Sequence, residues 1–290
     1  MINWASITAA ITHATQTRFE LAHTIPVSGG CINQAWRIEG TDGARYFVKL
    51  NDAHKSEMFA AERAGLDAMV ATQTVRVPQP ITHGVSDGHS FLVLENLELA
   101  SSGNARLLGE QLAAMHRCSS SQFGFQQDNT LGETPQPNKW SSDWIAFWRE
   151  QRLGFQLDLA ARNGYDGKLQ EMGHQLMERL PEFFGGYHPQ PSLLHGDLWG
   201  GNHAYTSDGV PVIFDPAPYY GDREADLAMT ELFGGFDQMF YSGYRVTWPP
   251  DAGYAIRKNL YNLYHILNHA NLFGGGYAQQ AEVMIQKLLK

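Results

Sequence analysis

The stretch SLLHGDLWGGN, residues 192–202, decides how the chain is read. Two leucines run into His195, Gly196 and Asp197, and Asn202 follows five residues after Asp197, with Trp199, Gly200 and Gly201 between them. An apolar run that passes into glycines is a strand giving way to a loop. Asp197 and Asn202 therefore sit on a loop at a strand end. PVIFDP, residues 211–216, repeats the pattern with an apolar strand that ends in Asp215. Mg2+ bound with nucleotide phosphates takes one or two carboxylates and an amide oxygen, with water filling the remaining positions. Asp197 then accepts the proton of an attacking hydroxyl, while Asn202 and Asp215 hold the metal. Taken singly, each motif reads better as a polar turn or a strand-end cap. Together they specify one kind of chemistry.

The N-terminal part supplies an independent check. YFVKL, residues 46–50, puts Lys49 on an apolar strand. HKSEMFAAERAGLDAMVAT, residues 54–72, is helical, with Phe59, Leu66, Met69 and Val70 on its apolar face. At about 100° per residue Glu62 falls inside that stripe and Glu57 points away. A carboxylate in an apolar stripe is costly unless paired, and Lys49 is the natural partner. Such a Lys–Glu pair directs the lysine at the α- and β-phosphates of ATP, and an Asp and Asn five apart with a later metal-binding Asp completes a phosphoryl-transfer set. Gly29 and Gly30, in the turn VSGGCINQAW (27–36), let backbone N–H groups approach phosphates. FLVLENLEL (91–99) carries the chain onward, and Glu95, Asn96, Leu97 and Glu98 are the expected adenine contacts.

Composition sets the limits. The 290 residues hold 21 Lys and Arg against 30 Asp and Glu, a formal charge of −9, which argues against nucleic acid as the main ligand. At 43% hydrophobic the chain can bury a substantial core. Its 2 cysteines, Cys31 and Cys118, form no disulfide framework and suit a reducing cytoplasm. The first residues, MINWASITAAITHATQTRFE, lack a basic start and a long apolar run, so no signal peptide is expected. No stretch approaches the roughly 20 apolar residues of a membrane span.

Strand-like hairpins, one helix and two further strands fill residues 1–97, a small nucleotide-binding α+β lobe. Residues 98–290 are mainly helical, with long helical regions at 138–163 and 167–180, interrupted by short strands near 192–195, 203–206 and 211–214. The late helix LYNLYHILNHANLF places Leu260, Leu263, Tyr264 and Leu267 on one stripe. The expected ligand site is the cleft between the two lobes.

LLHGDLWGGN, IFDPAPYYGDREADLAM, FVKL with FAAERAGL, and GGCINQAW resemble the fructosamine kinase (ketosamine-3-kinase) family, and PQPNKW and LFGGGY extend the resemblance over nearly the whole chain. The resemblance implies a two-lobed, protein-kinase-like α+β fold, shared with aminoglycoside and choline kinases. It implies Mg-ATP-dependent phosphorylation of the 3-hydroxyl of a ketosamine, free or protein-bound, which destabilises the adduct and releases the amine. Asp197 becomes the catalytic base, Asn202 and Asp215 the magnesium ligands, Lys49 with Glu62 the phosphate-positioning pair, and Asp226 a residue bonded to the catalytic-loop backbone. Asp215 is followed by Pro-Ala and no Ala-Pro-Glu segment appears, so no protein-kinase activation loop is expected. The alternatives are another small-molecule hydroxyl kinase, acting on an aminoglycoside, choline or a sugar, and a catalytically silent nucleotide-binding module.

Several residues admit two readings. Trp199 either packs on a sugar ring or alkyl-amine stem or belongs to the core. Asp222 binds an amine or sugar hydroxyl, or caps a helix. His195 is read as bonding the loop backbone. His265, Asn268 and His269 are read as satisfied structural groups, with a pocket lining as the alternative. Cys31, beside Gly30, is a small semi-buried thiol or a reactive one able to link two chains in a homodimer; otherwise a monomer is expected.

Overall fold

The computed structural model describes residues 2–28 and 32–290. The chain runs α1 (Trp4–Thr15), β1 (Leu21–Val27), β2 (Gln34–Gly40), β3 (Arg45–Asp52), α2 (Ser56–Thr72), β4 (Pro80–Ser86), β5 (His89–Glu95) and β6 (Leu99–Ala100). It continues through α3 (Ala105–His116), β7 (Asn129–Leu131), β8 (Thr134–Gln136), α4 (Trp144–Trp148), α5 (Phe155–Arg162), α6 (Lys168–Arg179) and β9 (Ser192–Leu194). Then come β10 (His203–Thr206), β11 (Pro211–Ile213), β12 (Tyr219–Gly221), α7 (Glu224–Thr230), α8 (Gln238–Thr247), α9 (Tyr254–Phe273) and α10 (Tyr277–Leu288). Two compact units result. One ends at Asn104 and takes in Ala204–Asp215; the other comprises Ala105–His203 and Pro216–Lys290.

The first unit is built on a five-stranded antiparallel sheet, ordered β1-β2-β3-β5-β4. Side chains alternate along β3. Val48 and Leu50 turn toward α1 and join a core with Ile7, Ile11, Phe19, Ile38, Phe91 and Val93. Lys49, between them, faces the opposite side, where α2 packs on β4 and β5. α2 buries Phe59, Leu66 and Met69, each such burial being worth roughly 1.5–3 kcal/mol. Glu62 lies on the same stripe as these residues, so α2 delivers a carboxylate to the face that carries Lys49. A second sheet, β11-β10-β6, leads into Asp215 and is tied back by the Ile213 N–H, which donates to the Arg76 carbonyl at 3.0 Å.

The second unit is mostly helical, as read from the sequence, with two local differences. The helical region expected over 138–163 starts only at Trp144, where the Asp143 side chain caps the Ala146 N–H at 2.8 Å. It then passes through a π-helical turn, Arg149–Gly154, before α5. α9 carries more than a stripe: Leu260 to Asn268 are all buried, because α5, α7 and α10 pack around it. Among the described residues no helix is long and apolar enough to cross a membrane. An N-terminal antiparallel sheet and a helical C-terminal part make the α+β class that the pattern indicates.

α3 and α8 cross backbone to backbone, which brings His116 and Tyr244 together at 2.7 Å. A Cβ on Gly109 would stand 2.0 Å from the Phe240 carbonyl oxygen and 2.7 Å from the Tyr244 nitrogen. In an open helix Gly→Ala stabilises by roughly 0.5–1 kcal/mol. Here the obstacle is backbone, so the sign reverses. Gly109→Ala is expected to destabilise by about 1–3 kcal/mol, read as a lower urea midpoint at unchanged m. A raised midpoint would show that the crossing is looser than described.

Candidate active site

In the first unit three charged side chains meet. Lys49 Nζ bonds Glu62 Oε1 at 2.6 Å and makes a shorter contact with Asp215 Oδ1. Lys49 is buried and Glu62 largely so, whereas the Asp215 side chain is 49% exposed. Burial alone would lower the lysine pKa, but the Asp215 and Glu62 carboxylates outweigh it and hold the ammonium charged. Burial pushes the Glu62 carboxyl up against the pull of Lys49, with the Asp215 charge adding to the rise. Asp215 adopts φ 58°, a left-handed conformation uncommon for a residue with a side chain. Such conformations persist where the surroundings enforce them. One ammonium between two carboxylates leaves an exposed acid beside a fixed cation.

In the second unit the loop after β9 is held by its backbone. Asp226, on α7, accepts from the His195 N–H at 2.7 Å and from the Gly196 N–H at 2.8 Å. Its Oδ2 also accepts from His116 Nε2 at 3.1 Å. Burial would raise the Asp226 carboxyl, but the hydrogen bond from His116 and the Gly196 N–H hold it below the usual range. Gly196 takes φ 82°, and a Cβ there would meet the Ala217 oxygen at 2.0 Å, so glycine is required. Asp197 follows, half-buried. The Asp197 N–H donates to His195 Nδ1 at 3.3 Å, the backbone bond expected of that histidine.

Asn202 Nδ2 donates to the Asp197 carbonyl at 2.8 Å and to its carboxylate at 3.2 Å. The five-residue spacing thus closes into direct contact. With the amide nitrogen engaged, Oδ1 accepts no hydrogen bond among the described residues, and it is an oxygen donor of the kind Mg2+ takes. Trp199 is 40% exposed. A Cβ on Gly201 would stand 2.3 Å from the Trp199 ring, so the indole lies over Gly201.

The remaining expected residues are placed as follows. Glu95 ends β5 and pairs with Arg76 at 2.6 Å, and its N–H donates to the Gln79 carbonyl at 2.8 Å. Asn96 and Leu97 are half-buried, and Glu98 is exposed beside Arg45 at 3.4 Å. Asp222 is fully buried, with its carboxylate accepting from the Tyr187 hydroxyl at 2.8 Å, the Glu224 N–H at 3.0 Å and the Tyr261 hydroxyl. That is a helix-start and core position with no exposed face. His265 is buried and driven down to about 3 by burial and the nearby His269, so it is neutral. Asn268 bonds Gln156 at 3.2 Å inside the core. Gly29, Gly30 and Cys31 lie outside the described residues.

Two contributors carry little signal in the sequence. His116 supports Asp226, and its signal was a histidine four residues after Leu112 on an otherwise apolar stripe. Arg257 clamps Glu224 at 2.7 Å and fixes the start of α7; nothing local in either segment announces the pair.

Comparisons with known proteins identify the family. The fructosamine kinase family model matches residues 3–290. The probable ketoamine kinase of Synechocystis is 51% identical over 291 residues, covering 99% of this chain and 97% of that protein. The chloroplastic protein-ribulosamine 3-kinase of Arabidopsis thaliana is 46% identical over 268 residues, covering 91% of this chain and 82% of its own. A crystal structure from Haemophilus somnus that carries a fructosamine-3-kinase name superposes with TM-score 0.90 at 30% identity, covering 99% of this chain and 98% of its own. The choline kinase of Streptococcus pneumoniae shares the protein-kinase-like fold, with TM-score 0.62 at 14% identity, over 99% of this chain and 98% of its own. A family match spanning almost the full length, on a chain whose His-Gly-Asp loop and Lys–Glu pair are both assembled, settles the relationship: the chain belongs to the fructosamine kinase family.

Proposed function

We propose that this protein is an ATP-dependent kinase that phosphorylates the 3-hydroxyl of ketosamines carried on lysine or protein amines. The observation that carries the reading is the Asp197–Asn202 contact on a loop whose backbone is clamped by Asp226. The substrate class is supported by the ketoamine kinase and protein-ribulosamine 3-kinase names of relatives 51% and 46% identical to this chain.

In the reaction the 3-hydroxyl oxygen attacks the γ-phosphorus of ATP. A new O–P bond forms, the bond to the β–γ bridging oxygen breaks, and ADP leaves. The hydroxyl proton passes to the Asp197 carboxylate. In a loose transition state this transfer is late, so alignment counts for more than basicity. Lys49, kept charged by Asp215 and Glu62, neutralises phosphate oxygens. Mg2+ bound with the nucleotide supplies further neutralisation of the phosphates, and the Asn202 amide oxygen and the exposed Asp215 carboxylate are the groups that would hold it. Trp199 offers an exposed indole face to the sugar or the alkyl-amine stem. Once the sugar is phosphorylated, enolisation toward C1 makes the 3-phosphate a β leaving group. Its loss, followed by imine hydrolysis, frees the amine.

The test of the substrate class is mass spectrometry of lysine peptides carrying ribulose, erythrulose or fructose after incubation with Mg-ATP. One phosphate is expected on at least one adduct and none on unmodified peptide. Turnover of choline or kanamycin with no gain on any adduct would overturn the reading.

Two variants separate the residue roles. Asp197→Asn is expected to lower kcat by about 100- to 10,000-fold with little change in KM for ATP. Lys49→Met is expected to lower kcat by about 100-fold or more and to raise KM for ATP as well. Wild-type kcat in a folded Asp197→Asn protein would remove Asp197 from the mechanism.

A further inference from the structure

The segment PQPNKW has no part in the chemistry above, yet it holds a fully buried amide, Gln136. Gln136 faces Asn129 across the β7–β8 ribbon. Its Nε2 donates to Asn129 Oδ1 at 2.7 Å and to the Ala217 carbonyl at 3.0 Å, and its Oε1 accepts from the Tyr264 hydroxyl of α9 at 2.7 Å. Asn129 Nδ2 in turn donates to the Pro218 carbonyl at 2.7 Å. Two side-chain amides thus hold two consecutive carbonyls.

Ala217 is also the residue that meets the Asp197 loop. Its N–H donates to the His195 carbonyl at 2.9 Å. Its carbonyl lies where a Cβ on Gly196 would fall, at 2.0 Å. The position of that carbonyl therefore limits how the Gly196 backbone can run, and Gly196 directly precedes Asp197. The residues after Gln136 are anchored as well. Arg152, presented by the π-helical turn, donates to the Pro137 carbonyl at 2.6 Å and to Asn138 Oδ1 at 2.7 Å.

We propose that Gln136 is a positioning residue for Asp197: with Asn129 and Tyr264 it fixes the Ala217 carbonyl against which Gly196 packs, and so sets the course of the loop. The proposal rests on the assignment of Asp197 as the base. Only an amide serves at this position. The Tyr264 hydroxyl occupies Oε1, which turns the NH2 toward its two acceptors, and a carboxylate could not donate to either.

The test compares Gln136→Glu and Tyr264→Phe with wild type in two readouts. One is steady-state turnover of a ketosamine peptide with Mg-ATP. The other is hydrogen–deuterium exchange of the segments containing His195 and Ala217, which needs no ketosamine. Gln136→Glu is expected to lower kcat by about 10- to 100-fold while KM for both substrates stays within about two-fold. Tyr264→Phe, which leaves the ring in place, is expected to lower kcat less. Both are expected to speed exchange at the His195 and Ala217 segments while α10 is unchanged. Wild-type kcat and exchange in folded Tyr264→Phe or Gln136→Glu would overturn the proposal, as would faster exchange spread evenly over the molecule. Failure of the wild-type protein to turn over any ketosamine would instead strike the kinase reading, and the exchange comparison would still decide the role of Gln136.

Discussion

A buried carboxylate that accepts two consecutive backbone N–H groups is the constraint on which the loop depends. Asp226 has only 1% of its surface exposed. Removing such a charge from water costs several kcal/mol unless it is well bonded. The His195 and Gly196 N–H groups and His116 provide that bonding, and charge-assisted hydrogen bonds are worth roughly 1.5–3 kcal/mol each. His116 is itself supported. Arg223 donates to the Tyr244 hydroxyl at 3.2 Å, and that hydroxyl pairs with His116 Nδ1 at 2.7 Å. A run of polar contacts through α8 and α3 thus ends on the backbone next to Asp197. The α3–α8 crossing is close because Gly109 and Gly243 carry no side chain where each helix meets the other's backbone.

The charged set in the first unit works on a different principle. Lys49 is buried between two carboxylates, and the sign of the balance keeps it protonated. Glu62 is largely buried beside it and serves to orient the ammonium, whereas Asp215 remains half exposed. The left-handed backbone at Asp215 departs from the strand that precedes it, and this turns a strand-end acid outward. Such local cost is expected where a side chain is placed for chemistry, not for stability.

Much of this was legible in the sequence, for definite reasons. Glu62 could be paired with Lys49 because helix and strand periods are fixed, so a carboxylate on an apolar stripe and a lysine between Val48 and Leu50 have few other places to go. The Asp197–Asn202 spacing was legible because it lies within one loop. Periodicity reports which face of an element is buried and not which polar groups meet across elements. His116 and Asp226 are far apart in the chain, and so are Gln136 and Ala217; their pairing depends on how helices and ribbons pack. Asp222 was ambiguous for the same reason: a helix-start acid looks alike in sequence whether its outer face meets solvent or, as here, the hydroxyls of Tyr187 and Tyr261. The π-helical turn at Arg149–Gly154 leaves no mark on an apolar pattern that suits an α-helix equally well.

The buried Asp226 charge organises the backbone of the loop that carries Asp197. This role is tested most directly by Asp226→Asn, which keeps the shape, removes the charge and replaces one acceptor oxygen with a donor. Steady-state kinetics on a ketosamine peptide, together with Mg-ATP binding by calorimetry, should show kcat reduced by about 100-fold or more with the nucleotide Kd nearly unchanged. A folded Asp226→Asn protein with wild-type kcat would contradict the account.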